Sequence, residues 1–161
     1  MPLGIDHMIT AIYPGSFDPV HLGHLDILGK ASKIFDKIIW AIGTNANKKP
    51  MFSLEDRVFM MSMAVPAPNI KIAVFSGLLV DYAARHDAVI IRGLRSSSDF
   101  DLEFQMTLIN KKLAGNVPTI YIPASQEYLH ISSTAIRELI SHKLKLEGFV
   151  PKQIEDYIRH I

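Results

Sequence analysis

At 161 residues, with 48% hydrophobic and 20% charged side chains, the chain has the size and balance of one globular domain, which excludes a disordered segment. A formal net charge of +1 excludes a protein built for bulk nucleic acid or for an anionic membrane surface. The absence of cysteine excludes disulfides and suits a reducing, cytoplasmic setting, and neither a bilayer-length apolar run nor a signal peptide is visible.

Residues 1–7 fit no element and read as an N-terminal extension, either a cloning junction or an extended start, so one domain is drawn over 8–161. Five short runs rich in β-branched residues are predicted strands: Met8–Tyr13, Lys37–Gly43, Ile70–Phe75, Ala88–Arg92 and Thr119–Ile122. Helical periods separate them. Near-continuous apolar strands alternating with helices predict a parallel sheet covered on both faces. In the order 3-2-1-4-5 this is a doubly wound, Rossmann-like α/β fold with C-terminal helices, whose first and fourth strands meet at the switch point where ligands bind.

The first strand leads into Tyr13-Pro-Gly-Ser-Phe-Asp-Pro-Val-His-Leu-Gly-His24. Pro14 and Gly15 are expected to stop the strand, and Asp18-Pro19 bends the chain again. Backbone N–H groups of Gly15, Ser16 and Phe17, with a helix start near Leu22, then converge on an anion pocket. His21 and His24 are three apart and share one face of the first turn, and Gly23 lets a ligand approach the backbone. A zinc site is the weaker reading of these histidines, since no cysteine and no third ligand stand at a suitable spacing.

The first helix, Leu22 to Phe35, places Leu25, Leu28, Ala31, Ser32 and Phe35 on a core stripe. After the second strand, a polar loop from Gly43 to Pro50 closes on Lys48 and Lys49. Ser53 to Asp56 reads as a capping box for a helix that buries Val58, Met61 and Val65, and Met60, Met61 and Met63 read as packing. The third strand ends at Ser76-Gly77, and Leu78 to Arg85 makes a short helix.

Past the fourth strand, Arg92 and Arg95 flank Gly93, which suits either two solvated loop charges or a bidentate clamp on phosphate. A capping box from Ser98 to Asp101 is expected to open a helix over 99–113. That helix carries Phe100, Phe104 and Leu108 on one face and Leu102, Met106, Ile109 and Leu113 on another, so one face suits the sheet and the other a second subunit. Glu103 and Asn110 are nearly aligned on it, as a cap on an interface or part of a site. The last strand exits into Ser125–His130, and Ser132, Ser133 and Thr134 open a helix as caps, as phosphate donors, or as both. Pro151 starts a terminal helix, and Lys143, Lys145 and Lys152 read as a solvated face.

The ten residues from Gly15 to His24 resemble the signature of the nucleotidylyltransferase superfamily, whose members carry H-x-G-H after the first strand. From Met8 onward the chain is similar to bacterial phosphopantetheine adenylyltransferases in Tyr13–Pro19, Lys48–Phe52, Arg92–Arg95, Asp99, Phe100, Glu103, Asn110 and Ile131–Ser133. It departs from the pattern at Ser16, where threonine is usual, at Gly77, where an acidic residue occurs, and at Leu102, which replaces a tyrosine. The resemblance implies transfer of the adenylyl group of ATP to 4′-phosphopantetheine, giving dephospho-coenzyme A and pyrophosphate.

It further implies that His24 and Lys48 donate to the α-phosphate, and that Ser16, Lys48 and Arg92 orient the attacking phosphate. Arg95 would hold the β- and γ-phosphates with Ser133 and Thr134. Phe17, Gly93, Leu94, Glu103, Tyr128, Leu129, His130, Ile131 and Ser132 would complete the ATP site, and Leu79 and Asn110 would line the pantetheine channel. Mg²⁺ would enter with ATP on phosphate oxygens and water, without a carboxylate cage. Coenzyme A as a feedback ligand, a homo-oligomer (typically a hexamer), and no nucleic-acid or membrane partner complete the implied picture. The competing readings are a nicotinate or nicotinamide mononucleotide adenylyltransferase, which shares the first and last motifs, and a non-catalytic nucleotide-binding protein.

Overall fold

β1 (Thr10–Gly15) is the centre of a parallel five-stranded sheet ordered β3-β2-β1-β4-β5, with β2 (Lys37–Thr44), β3 (Ile70–Ser76), β4 (Ala88–Leu94) and β5 (Thr119–Pro123). The structure, a computed structural model, describes residues 8–44, 49–114 and 117–161; the extension 1–7 and Lys48 lie outside the described residues. The predicted fold class and strand order are those observed.

Pro14 does not stop the first strand as expected. β1 stays paired with β2 through Gly15, whereas its ladder with β4 ends at Ile12 opposite Ile90. Proline has no N–H with which to extend that second ladder. β4 instead continues to Leu94 along β5, so β1 and β4 part beyond Ile12 and leave a crevice at the switch point.

Alternation along the strands loads the two faces. Ala11, Tyr13, Ile38, Trp40 and Ile42 pack against α1 (Leu22–Ala31), α2 (Leu54–Ser62), α5 (Ser133–Ser141) and α6 (Lys152–Ile158), through Leu28, Met60, Met61, Ile136 and Ile154. Ile12, Ile39, Ala41 and Ile90 face the other way, onto Val80 and Ala83 of α3 (Leu79–Arg85). Each fully buried isoleucine or leucine contributes about 1.5–3 kcal/mol of transfer free energy.

Three local expectations are corrected. α1 ends at Ala31, short of Phe35, because the Ser32 hydroxyl bonds the Gly29 carbonyl and the Asn69 amide takes the carbonyls of Ser32 and Phe35. On α2 the buried positions are Arg57, Met60 and Met61, while Val65 lies past the helix and is exposed. α4 (Ser97–Ala114) is capped by Ser96, whose hydroxyl accepts the Asp99 N–H at 3.2 Å, in place of a box from Ser98 to exposed Asp101. Among the described residues no helix is long and apolar enough to cross a membrane.

Candidate active site

The turn after β1 is built on an aromatic stack. Phe17 sits at φ +45°, a backbone that costs a non-glycine residue about 1–2 kcal/mol. Its ring is held there edge-on to Tyr13, His24 and Trp40, with centroids 5.5, 4.8 and 5.4 Å away. Phe17 is only 2% exposed and is not among the residues lining the cavity around the histidines, so this expected ATP-site residue supports the turn from within the core.

His21 and His24 face each other across the first turn of α1, with rings stacked at 3.5 Å and 15°. They form a reciprocal cap. The His24 N–H donates to His21 Nδ1 at 3.3 Å, and the His21 N–H donates to His24 Nδ1 at 3.2 Å. Each Nδ1 is therefore an acceptor, which puts the proton of each neutral ring on Nε2. Burial, reinforced by Arg95, takes His21 from its ordinary 6.5 down to about 3. Burial first, then His21 and Arg95, holds His24 well below the ordinary histidine range. The turn thus presents two uncharged N–H donors. Gly23 leaves room for this arrangement, since a Cβ there would stand 3.1 Å from Cε1 and Nδ1 of His21 and would press that ring aside by a few tenths of an ångström. As expected, Gly23 leaves its backbone open to a ligand, since it lines the cavity that surrounds the histidines.

Around the histidines lies a cavity of about 320 Å³ that fills the crevice between β1 and β4. Its walls include Ser16, His24, Gly93, Leu94, Arg95, Tyr128, Ile131, Ser132, Ser133 and Thr134, all expected site residues, and also His21 and Arg137. Two guanidinium groups and no carboxylate are among its lining residues, so the cavity favours an anion. β4 is drawn close to α1 at Gly93, where a Cβ would lie 2.9 Å from Cγ1 of Ile27. Arg95 is braced by Asp99 through Nε at 3.2 Å and donates from Nη1 to the Ile131 carbonyl at 3.2 Å. It therefore spans from the start of α4 to the entry of α5.

Ser132 is the cap of α5, accepting the Ala135 N–H at 3.1 Å. The Ser133 hydroxyl donates to the Pro19 carbonyl at 3.1 Å, and the Thr134 hydroxyl accepts from Arg137 Nη2 at 3.0 Å. What α5 offers an anion is thus chiefly its first backbone N–H groups, which no turn of the helix satisfies.

Other expected site residues stand apart from this cavity. Arg92 pairs with Glu103 at 3.1 Å, a half-exposed bridge. Leu79 begins α3 beside the core of the second face, and Asn110 is half-buried on α4. Leu129 is exposed, and the exposed His130 ring sits edge-on to Phe149. Among the described residues no group of three or more His, Asp or Glu could hold a metal ion. Asp18, Asp99 and Glu103 are each engaged by N–H donors or arginine.

Sequence reasoning missed three residues. Asp18 and Arg57 are buried, and with Arg137 they line a second cavity of about 550 Å³ that shares Ser16 and Arg137 with the first. Arg57 carried a signal, a charge inside the apolar period of α2. Arg137 carried none beyond its place one turn into α5.

The cytidylyltransferase-like family profile matches residues 12–139. The chain is 46% identical over 149 residues to a phosphopantetheine adenylyltransferase of Clostridium perfringens, covering 91% of each. It is 47% identical over 154 residues to a phosphopantetheine adenylyltransferase of Carboxydothermus hydrogenoformans, covering 94% of this chain and 95% of the other. A crystal structure from Vibrio parahaemolyticus described as a nicotinate-nucleotide adenylyltransferase superposes with a TM-score of 0.67 at 16% identity, over 93% of this chain and 97% of that one, a likeness of fold alone.

Proposed function

The chain belongs to the phosphopantetheine adenylyltransferases within the cytidylyltransferase-like family, and from that premise we propose that it is the enzyme that moves the adenylyl group of ATP onto 4′-phosphopantetheine. The phosphate oxygen of phosphopantetheine attacks the α-phosphorus in line, the bond to the bridging oxygen of pyrophosphate breaks, and dephospho-coenzyme A and pyrophosphate leave. The observation that carries this reading is the reciprocal His21–His24 cap facing Arg95 and the start of α5 across one carboxylate-free cavity.

The chemistry asks little of acid–base catalysis. The nucleophile is a phosphate monoester, mostly dianionic at neutral pH because its second pKa is about 6, so no general base is needed. What must be supplied is alignment of two anions and stabilisation of charge at the α-phosphate and the leaving group. His24, neutral with its proton on Nε2, donates to a non-bridging oxygen of the α-phosphate and gains strength as charge builds there. A neutral donor also leaves the ground-state anion less tightly held than a cation would, so more of its interaction is reserved for the transition state. Arg95 takes the β- and γ-phosphates with the first N–H groups of α5, while Ser16 and Lys48 orient the attacking phosphate. Mg²⁺ accompanies ATP on phosphate oxygens and water, which suits a donor set in which Asp18, Asp99 and Glu103 are already engaged.

A cytoplasmic homo-oligomer of hexameric form is the assembly this reading assigns. Association of copies is supported by α4, which leaves Leu102, Phe104, Met106, Leu108, Ile109 and Leu113 exposed on a single chain; the hexameric number and the cytoplasmic setting come from the family resemblance. Pyrophosphate release from Mg·ATP tests the function, with phosphopantetheine and, separately, nicotinate and nicotinamide mononucleotides as acceptors. Release with phosphopantetheine alone is expected; release only with a mononucleotide would replace the assignment.

A further inference from the structure

The aspartate of the Gly15–His24 stretch has no part in the chemistry above, yet it is buried and hydrogen-bonded to two other segments of the chain. Asp18 is 4% exposed. Its Oδ2 accepts the Met51 N–H at 2.8 Å and its Oδ1 the Phe52 N–H at 2.9 Å. Its carbonyl accepts from Nη1 of Arg137 at 2.8 Å. The neighbouring bonds run the same way. Arg57, also buried, donates from Nη1 to the Ser16 carbonyl at 2.8 Å and from Nε to the Ser53 carbonyl at 3.3 Å. The Ser133 hydroxyl holds the Pro19 carbonyl. The turn that carries Ser16 is therefore clasped from the α2 side by Met51, Phe52 and Arg57, and from the α5 side by Ser133 and Arg137.

Each oxygen of this carboxylate accepts one backbone N–H of the segment entering α2, and Arg137 Nη1 lies 3.8 Å from Oδ2. The carboxylate is suited to fixing distance. We infer that Asp18 is a positioning residue for the transfer: it holds the segment entering α2 against the β1–α1 turn, so that Ser16, His24 and the start of α5 surround one phosphorus atom at fixed separation. Arg137, shared by the two cavities, joins the α5 side to the same turn. The inference rests on the adenylyl-transfer reading, in which rate depends on aligning groups from separate loops, and a misplacement of about 1 Å costs about a hundredfold.

The test is Asp18→Asn, whose amide can accept one of the two N–H groups but opposes the other with its own. Hydrogen exchange at Met51 and Phe52, and in a peptide containing Ser16, is followed alongside steady-state kinetics. Exchange is expected to rise at least tenfold in both segments. kcat should fall tenfold or more at a temperature where the variant is folded by circular dichroism, with KM for ATP within threefold. Unchanged kcat in a variant with a lowered Tm would make Asp18 a stability residue only and overturn the inference, as would unchanged exchange around Ser16. Should Asp18→Asn not fold, Arg57→Lys keeps the charge but cannot reach both Ser16 and Ser53 carbonyls. The same fall in kcat is expected there, and wild-type kcat would refute the clasp. Exchange is independent of turnover, so a wild type inactive on phosphopantetheine would count against the function while the exchange result still judged the clasp.

Discussion

Replacing His24 by alanine separates two tasks performed by one ring. Its Nδ1 caps the His21 N–H at 3.2 Å, and its Nε2–H is the donor offered to the cavity. Loss of the cap costs about 1 kcal/mol of folding stability, which in a chain of this length lowers Tm by about 2–4 °C. Loss of a preorganised donor to a developing oxyanion raises the barrier by about 3–4 kcal/mol, or two to three decades in kcat at about 1.36 kcal/mol per decade. Binding of ATP should change little, because Arg95 and the start of α5 are untouched and a transition-state donor contributes little to the ground state. The assay is pyrophosphate release from Mg·ATP and phosphopantetheine over a range of both substrates, with Tm measured on the same samples. His24→Asn, which keeps a short side-chain acceptor, should recover part of the Tm and none of the rate. A kcat within fivefold of wild type in folded His24→Ala would remove this ring from the mechanism, whatever happened to Tm.

Gly23→Ala sets two effects against each other: alanine favours the helix by about 1 kcal/mol, but its Cβ meets the His21 ring at 3.1 Å and presses it toward His24. An unchanged or raised Tm with kcat lowered about tenfold or more is expected, and unchanged kcat would show that the stacked pair tolerates displacement. His21 holds fewer protons folded than unfolded, because its value falls from 6.5 to about 3. Its share of stability is therefore whole above about pH 6.5 and is lost as pH falls from there toward 3, reaching about 2–3 kcal/mol at pH 4.5. Urea unfolding at pH 7.5 and 4.5 should show this difference and a smaller one in His21→Asn; equal acid sensitivity of the two proteins would place the effect elsewhere. Leu102→Lys puts a charge on the exposed face of α4 and should shift the protein to a smaller species by light scattering, with Tm of the single chain unchanged. A monomeric wild type would show that this face has no copy of the chain on it.

Much of the fold is written locally. The strand run at Lys37–Thr44 is apolar enough to demand burial on both faces, and period and turn residues alone divide it from the helices. The Gly15–His24 stretch fixes both the kind of turn and the residue types an anion site needs, and the cavity indeed forms around it. Boundaries were less legible. Pro14 reads as a stop because its missing N–H is a local fact, but whether that matters depends on which neighbour the strand still has.

The sequence by itself settled the order of elements, the crevice they create and the family to which the chain belongs, because periodicity, turn chemistry and a contiguous motif act over a few residues. Tertiary structure alone decided how the parts engage. It turned His21 and His24 into a mutual cap that fixes where each proton sits, paired Arg92 with Glu103 at a distance from the cavity, and set buried Asp18 on two N–H groups 33 and 34 residues along the chain. The physical reason is that hydrogen-bond direction, burial and charge proximity depend on separations in space, and the β1, β2 and α5 ends reach those separations only after the sheet has been assembled.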